Sequence, residues 1–148
     1  MTNTATTWLS KSEAALIRAS FIRASAIPGQ VSALFYQRLF ELDPSLRRLF
    51  HGDMHEQGRK LVSTLSVIVE SAEHLEQLEP TVRELGARHA NYGVKSEHYG
   101  TVGEALLWAL ERTAKPLFNK ATRSAWTKAY GGLAATMIAA ANEANKSS

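Results

Sequence analysis

Apolar residues recur along this chain at spacings of three and four, the period of a helix with one buried face, and nowhere in convincing alternation. From Ser10 to Ser25, Leu16, Ile17 and Phe21 form one stripe; Ser10 or Ser12 can cap it, and Pro28-Gly29 breaks it. Gln30 to Leu42 places Val31, Leu34, Phe35, Leu39 and Leu42 on one side. Asp43-Pro44 restarts the chain as a short helical turn to Phe50, because aspartate caps well and proline suits a first helical position. A long helix is predicted from His55 to Ser71, with Leu61, Leu65, Ile68 and Val69 inward. Glu73–Leu78 is a connecting segment interrupted by Pro80, followed by a helix from Thr81 to Asn91 that ends near Gly93. Ser96 is expected to cap the next helix, which carries Tyr99, Val102, Leu106, Leu107 and Leu110. The last helix, Thr122 to Ala141, repeats Trp126, Tyr130, Leu133, Met137 and Ile138. The small or polar tails, Met1–Thr7 and Asn142–Ser148, are expected to fray. The pattern predicts an all-α class with six to eight helices, in one domain spanning residues 1–148.

Composition narrows the chemistry. The chain has no cysteine, which removes disulfides, cysteine zinc sites, iron–sulfur clusters and thiol catalysis. Its glycines never form a phosphate loop or dinucleotide fingerprint, and there is no HExxH or Gly-x-Ser-x-Gly element. The net charge of +3 is spread among acidic neighbours, so no nucleic-acid stripe is present. No stretch approaches the roughly 20 apolar residues that span a bilayer, and the N-terminus lacks the basic and apolar blocks of a secretory signal. These features lead to the expectation of a cytoplasmic protein with no membrane partner.

The chemistry then rests on histidine. His89 lies near the end of a helix, four residues after Leu85 and three before Tyr92, on a partly apolar face. By itself it reads either as a structural histidine bonded to a carbonyl or as an axial iron ligand. Taken alone, Tyr36 reads as an interface tyrosine, Gln57 as a surface residue, and Phe50 and Leu61 as core. Gln57 and Leu61 are four apart, so they share one helical face.

Four segments in order change the weight of these residues: LFYQRLFELDPSLRRLF (34–50), EQGRKLVSTL (56–65), LGARHANYGVKSEHYGTVGEALL (85–107) and AWTKAYGGLAATM (125–137). Together they resemble a globin, most closely the flavohaemoglobin-like single-domain bacterial globins with Tyr and Gln in the distal pocket. The resemblance implies a globin fold, helices in a three-over-three sandwich around one b-type haem. It implies His89 as the proximal iron ligand and Phe50 as the aromatic wedge on the porphyrin. Tyr36 and Gln57 become the distal donors, Leu61 the apolar residue over the iron, and Tyr99 a proximal tyrosine that helps orient the histidine. Arg88 is a candidate for a haem propionate. His55, two residues before Gln57, is expected to face elsewhere unless the helix slides.

The resemblance further implies O2, NO and CO as ligands, and nitric oxide detoxification by dioxygenation to nitrate with a separate electron-donating reductase. The alternative it leaves open is an O2 carrier, store or sensor. A monomer or weak dimer is expected. One position departs from the flavohaemoglobin pattern: Ala141 stands where that group has a glutamate supporting the proximal histidine, and Glu143, two residues on, is expected to face away.

Overall fold

The computed structural model describes residues 8–147, with side chains through residue 144. Helix α1 (Lys11–Ala24) begins with a reciprocal cap: the Glu13 N–H donates to Ser10 Oγ at 3.1 Å, and the Ser10 N–H to Glu13 Oε1 at 2.8 Å. Gly29, at φ 80°, makes the left-handed turn into α2 (Gln30–Leu42), a conformation that glycine takes without a Cβ clash. The Asp43 carboxylate accepts from the Ser45 N–H at 3.1 Å, and Pro44 opens a 3-10 turn, Pro44–Leu49. Asp53 caps α3 (Met54–Glu70), accepting from the His55 N–H at 2.8 Å. A second 3-10 segment, Ala72–Leu78, leads into α4 (Glu79–Asn91), which is followed by α5 (His98–Thr113) and α6 (Lys120–Ser147). Among the described residues there are no strands, and the all-α expectation holds.

Three local expectations need correction. Pro80 does not interrupt a connection; it sits in the first turn of α4, where its missing N–H costs nothing. Ser96 is not the cap of α5. That helix starts at His98, and in the turn before it the Lys95 N–H donates to the His98 ring at 3.0 Å. The segment from Asn142 is not a tail separate from the last helix: α6 continues to Ser147, and an ion pair from Glu143 to Arg83 joins its far end to α4. The Met1–Thr7 tail lies outside the described residues.

The core gathers Ile17, Leu39, Leu75 and Leu110, each almost fully buried. Helix α1 packs on α6 and α2 on α5, while α4 lies along α6. The α4–α6 approach is so close that a Cβ at Gly86 would run into the Met137 carbonyl, which only glycine avoids. One polar link crosses the core with its groups satisfied: the Trp126 indole donates to Ser20 Oγ at 2.8 Å, and that hydroxyl donates to the Leu16 carbonyl at 2.8 Å. Helix α3 leans on α1 and α2 and hardly touches α4, so the two helices that carry Gln57 and His89 are not packed against each other.

Candidate functional site

On the α2–α3 side, aromatic rings converge. Tyr36 meets Phe50 edge-on with centroids 5.3 Å apart, and Phe40 meets Phe50 edge-on at 5.6 Å. Tyr36 and Phe40 are one turn apart on α2 and stack at 6.1 Å, and the Arg47 guanidinium covers the outer ring, 5.2 Å from the Phe40 centroid. Phe40 was not anticipated as part of this group, although its spacing of four from Tyr36 is a signal that could have found it.

The Tyr36 hydroxyl donates to the Gln57 backbone carbonyl at 3.4 Å, and the Gln57 side-chain amide donates to the His51 carbonyl, also at 3.4 Å. Both are long for hydrogen bonds, so both donors are held weakly and can be redirected at small cost. Burial pushes the Tyr36 phenol up to about 12, so it remains a proton-bearing donor at neutral pH. Leu61 is half-buried one turn beyond Gln57, and His55 is exposed, as expected for a residue on another face.

His89 is half-buried on α4, and its Nδ1 lies 2.7 Å from the Leu85 carbonyl. A carbonyl only accepts, so in the neutral ring Nδ1 carries the hydrogen and Nε2 keeps its lone pair. The histidine is thereby oriented by its own helix. Tyr99 is buried on α5, its backbone carbonyl accepts from the Tyr130 hydroxyl at 2.6 Å, and no hydrogen bond joins it to His89 among the described residues. Arg88 is exposed and pairs with Glu84 one turn back at 3.0 Å. The structure thus brings Tyr36, Phe50 and Gln57 together, aligns Leu61 with them, and sets His89 on the separate wall formed by α4.

This arrangement fits a planar, metal-bearing cofactor. One imidazole with a committed Nδ1 and an open Nε2 could serve as a single donor to a haem iron. No cluster of three or more His, Asp or Glu residues exists among the described residues to hold a metal in another way. The neighbouring side chains Phe40, Leu49, Phe50, Leu61 and Val62 are apolar and only partly buried.

Residues 33–137 match the family model described as Globin. This chain belongs to the globin family. The globin is 33% identical, over 109 residues, to an uncharacterized globin-like protein of Aquifex aeolicus, a match covering 74% of this chain and 77% of that one. It is also 33% identical over 107 residues to a flavohemoprotein of Vibrio cholerae, covering 70% of this chain but only 27% of that protein's length. Among solved structures, an engineered carbene transferase built on a candidate nitric oxide dioxygenase of Rhodothermus marinus superposes with a TM-score of 0.80. That pair is 30% identical, and the match covers 91% of this globin and 94% of the other chain. Membership of the family implies a haem cofactor and gaseous ligands such as O2. No helix among the described residues is long and apolar enough to cross a membrane.

Proposed function

We propose that this globin, as one domain spanning residues 1–148, holds a b-type haem through His89 and removes nitric oxide by dioxygenation. In the overall reaction one NO, one O2 and one electron from an external reductase give one nitrate. The bound haem supplies a redox-active iron that takes diatomic ligands. The chain's own residues do the rest. His89 presents Nε2 because the Leu85 carbonyl fixes Nδ1. Phe50 and Leu61 wall the ligand pocket with apolar surface and keep water out. Tyr36 and Gln57 turn their hydroxyl and amide hydrogens from the carbonyls of Gln57 and His51 to the ligand, orienting it for attack. Arg88 offers a charge at the rim for a propionate.

The observation that carries this reading is the pair of weakly held donors, Tyr36 and Gln57, beside an aromatic wall. The relatives described as a flavohemoprotein and a candidate nitric oxide dioxygenase support it. The test is sustained NO consumption by the haem-loaded chain with excess O2 and a flavin reductase, with nitrate as the measured product. Stoichiometric nitrate over many turnovers is the expected result. A single turnover followed by arrest would leave O2 carriage or storage as the function.

A further inference from the structure

The fold joins two turns at the corner where α1 and α5 finish. The Arg23 side chain of α1 donates to the Lys115 carbonyl at 3.0 Å, which ties the turn from α1 to α2 against the turn from α5 to α6. Both turns are anchored from within: Ala24 and Ala114 are fully buried, and the Thr122 hydroxyl donates to the Leu117 carbonyl at 3.2 Å. Aliphatic side chains nevertheless stand in solvent there. Ile22 is 70% exposed, Ile27 59% and Leu117 44%, and these are three of the five large hydrophobic residues exposed among the described residues. Nothing in the core or in the site of Tyr36, Gln57 and His89 uses them.

The charge of the same corner has one sign. Residues 22–30 and 111–123 contain Arg23, Arg112, Lys115, Lys120 and Arg123, all exposed, against Glu111 alone. The whole chain carries only +3, so the rest of it is acidic on balance. Arg112 and Arg123 lie 3.9 and 3.8 Å from Glu111 and share its charge. Arg23, Lys115 and Lys120 have no carboxylate partner among the described residues. Aliphatic tips among unpaired cations suit the headgroup layer of an anionic membrane, where the tips enter the acyl boundary and the cations meet phosphate. A protein partner fits less well, because interface centres favour aromatic residues and are poor in lysine.

We propose that this corner docks the chain on an anionic phospholipid surface, with Ile22, Ile27 and Leu117 inserted and Arg23, Lys115 and Lys120 on the lipid phosphates. The expectation of no membrane partner rested on the lack of a spanning segment, and a surface contact needs none. Neither basic stretch reads as a block by itself; the Arg23–Lys115 bond makes them one surface. Helices α3 and α4, which carry Gln57 and His89, contribute nothing to the corner, so docking leaves that site uncovered. The inference stands apart from the reading of the chain as a nitric oxide dioxygenase.

The test is cosedimentation of the full haem-loaded chain with vesicles, either an equal mixture of phosphatidylglycerol and phosphatidylcholine or phosphatidylcholine alone. Binding to the mixed vesicles is expected, at least tenfold stronger than to the neutral ones. It should weaken at least tenfold at about 1 M salt, where charges are screened within roughly 3 Å. Lys115→Gln and Lys120→Gln should each weaken it about fivefold, the loss of one cation near an anionic surface. The combined change Ile22→Ser, Ile27→Ser and Leu117→Ser should abolish it, while Val67→Ser, at an exposed aliphatic residue of α3, should leave it unchanged. Circular dichroism establishes that each variant is folded; if the combined variant is not, the two lysine variants decide. Equal binding to neutral vesicles, or mixed-vesicle binding of wild-type strength in the lysine variants or the folded combined variant, would overturn the proposal. Absence of vesicle binding would overturn it too, and leave the corner as a contact for an acidic protein.

Discussion

Helices α4 and α3, which carry His89 and Gln57, form two walls that are held in different ways. On the α4 side, backbone packs on backbone at Gly86 and Met137, and the hydrogen bond that orients His89 is short, 2.7 Å. On the α3 side only Gly58, Leu65 and Val69 are buried in a helix of 17 residues, and the two bonds that join Tyr36 and Gln57 to backbone carbonyls are 3.4 Å long. The difference suits the roles proposed above for the two walls. An axial donor must be fixed, because its direction sets the geometry at the metal. Distal donors must be near but uncommitted, because they have to exchange a backbone acceptor for a ligand when one arrives.

The largest expected effect comes from removing the fixed donor. His89→Ala should abolish stable haem retention, read as loss of the Soret band after gel filtration, while far-ultraviolet circular dichroism stays helical. A variant that kept stoichiometric haem would remove α4 as the proximal wall.

Next in size is the packing beneath that donor. Gly86→Ala forces α4 away from the Met137 carbonyl, and overpacking of this kind costs about 1–3 kcal/mol, or more where the clash is with backbone. Thermal unfolding should show a clearly lowered Tm. The matching change on the other wall, Gly58→Ala, meets only the Ser32 side chain and should be milder. Equal losses at the two glycines would erase the contrast between the walls.

A smaller, functional effect is expected at Tyr36. Tyr36→Phe removes one hydroxyl and leaves the ring on Phe50, so O2 dissociation should speed about tenfold with little change in Tm. Stopped-flow displacement of O2 by CO measures it, and an unchanged rate would mean that the hydroxyl never reaches the ligand.

The smallest effect is in the titration of the tyrosines. Burial raises Tyr36 from 10.0 to about 12, since the protein disfavours the phenolate. A folded pKa above the unfolded one gives stability that is whole below pH 10 and is lost as pH rises toward about 12. The phenolate absorbance that disappears in Tyr36→Phe should therefore titrate late. If the missing absorbance titrated near 10, Tyr36 would be a wet surface residue and the distal wall an open one.

Much of this architecture is legible in the periodicity, because helices with one buried face must repeat at three and four. The boundaries of α2 follow from Gly29 and Asp43, whose caps are local, and the predicted limits, Gln30 and Leu42, are the observed ones. Errors arose where a tertiary partner decides. The far end of α6 looks like a polar tail, but the Glu143–Arg83 pair and the packing against α4 keep it helical. Ser96 has a cap's chemistry and loses the position to the turn closed by His98.

The order and spacing of residues alone determined that the chain is helical, that His89 lies near the end of a helix, and that Gln57 and Leu61 share a face, since each is a property of one element. Which groups meet was decided only in three dimensions. Phe40 joins Tyr36 and Phe50 because α2 and the turn after it fold onto each other. The Leu85 carbonyl, invisible as a side chain, orients His89. A depression lined by Ala90, Tyr99 and Ile138 lies where α4, α5 and α6 come together. A cavity belongs to no single segment, so no periodicity announces it.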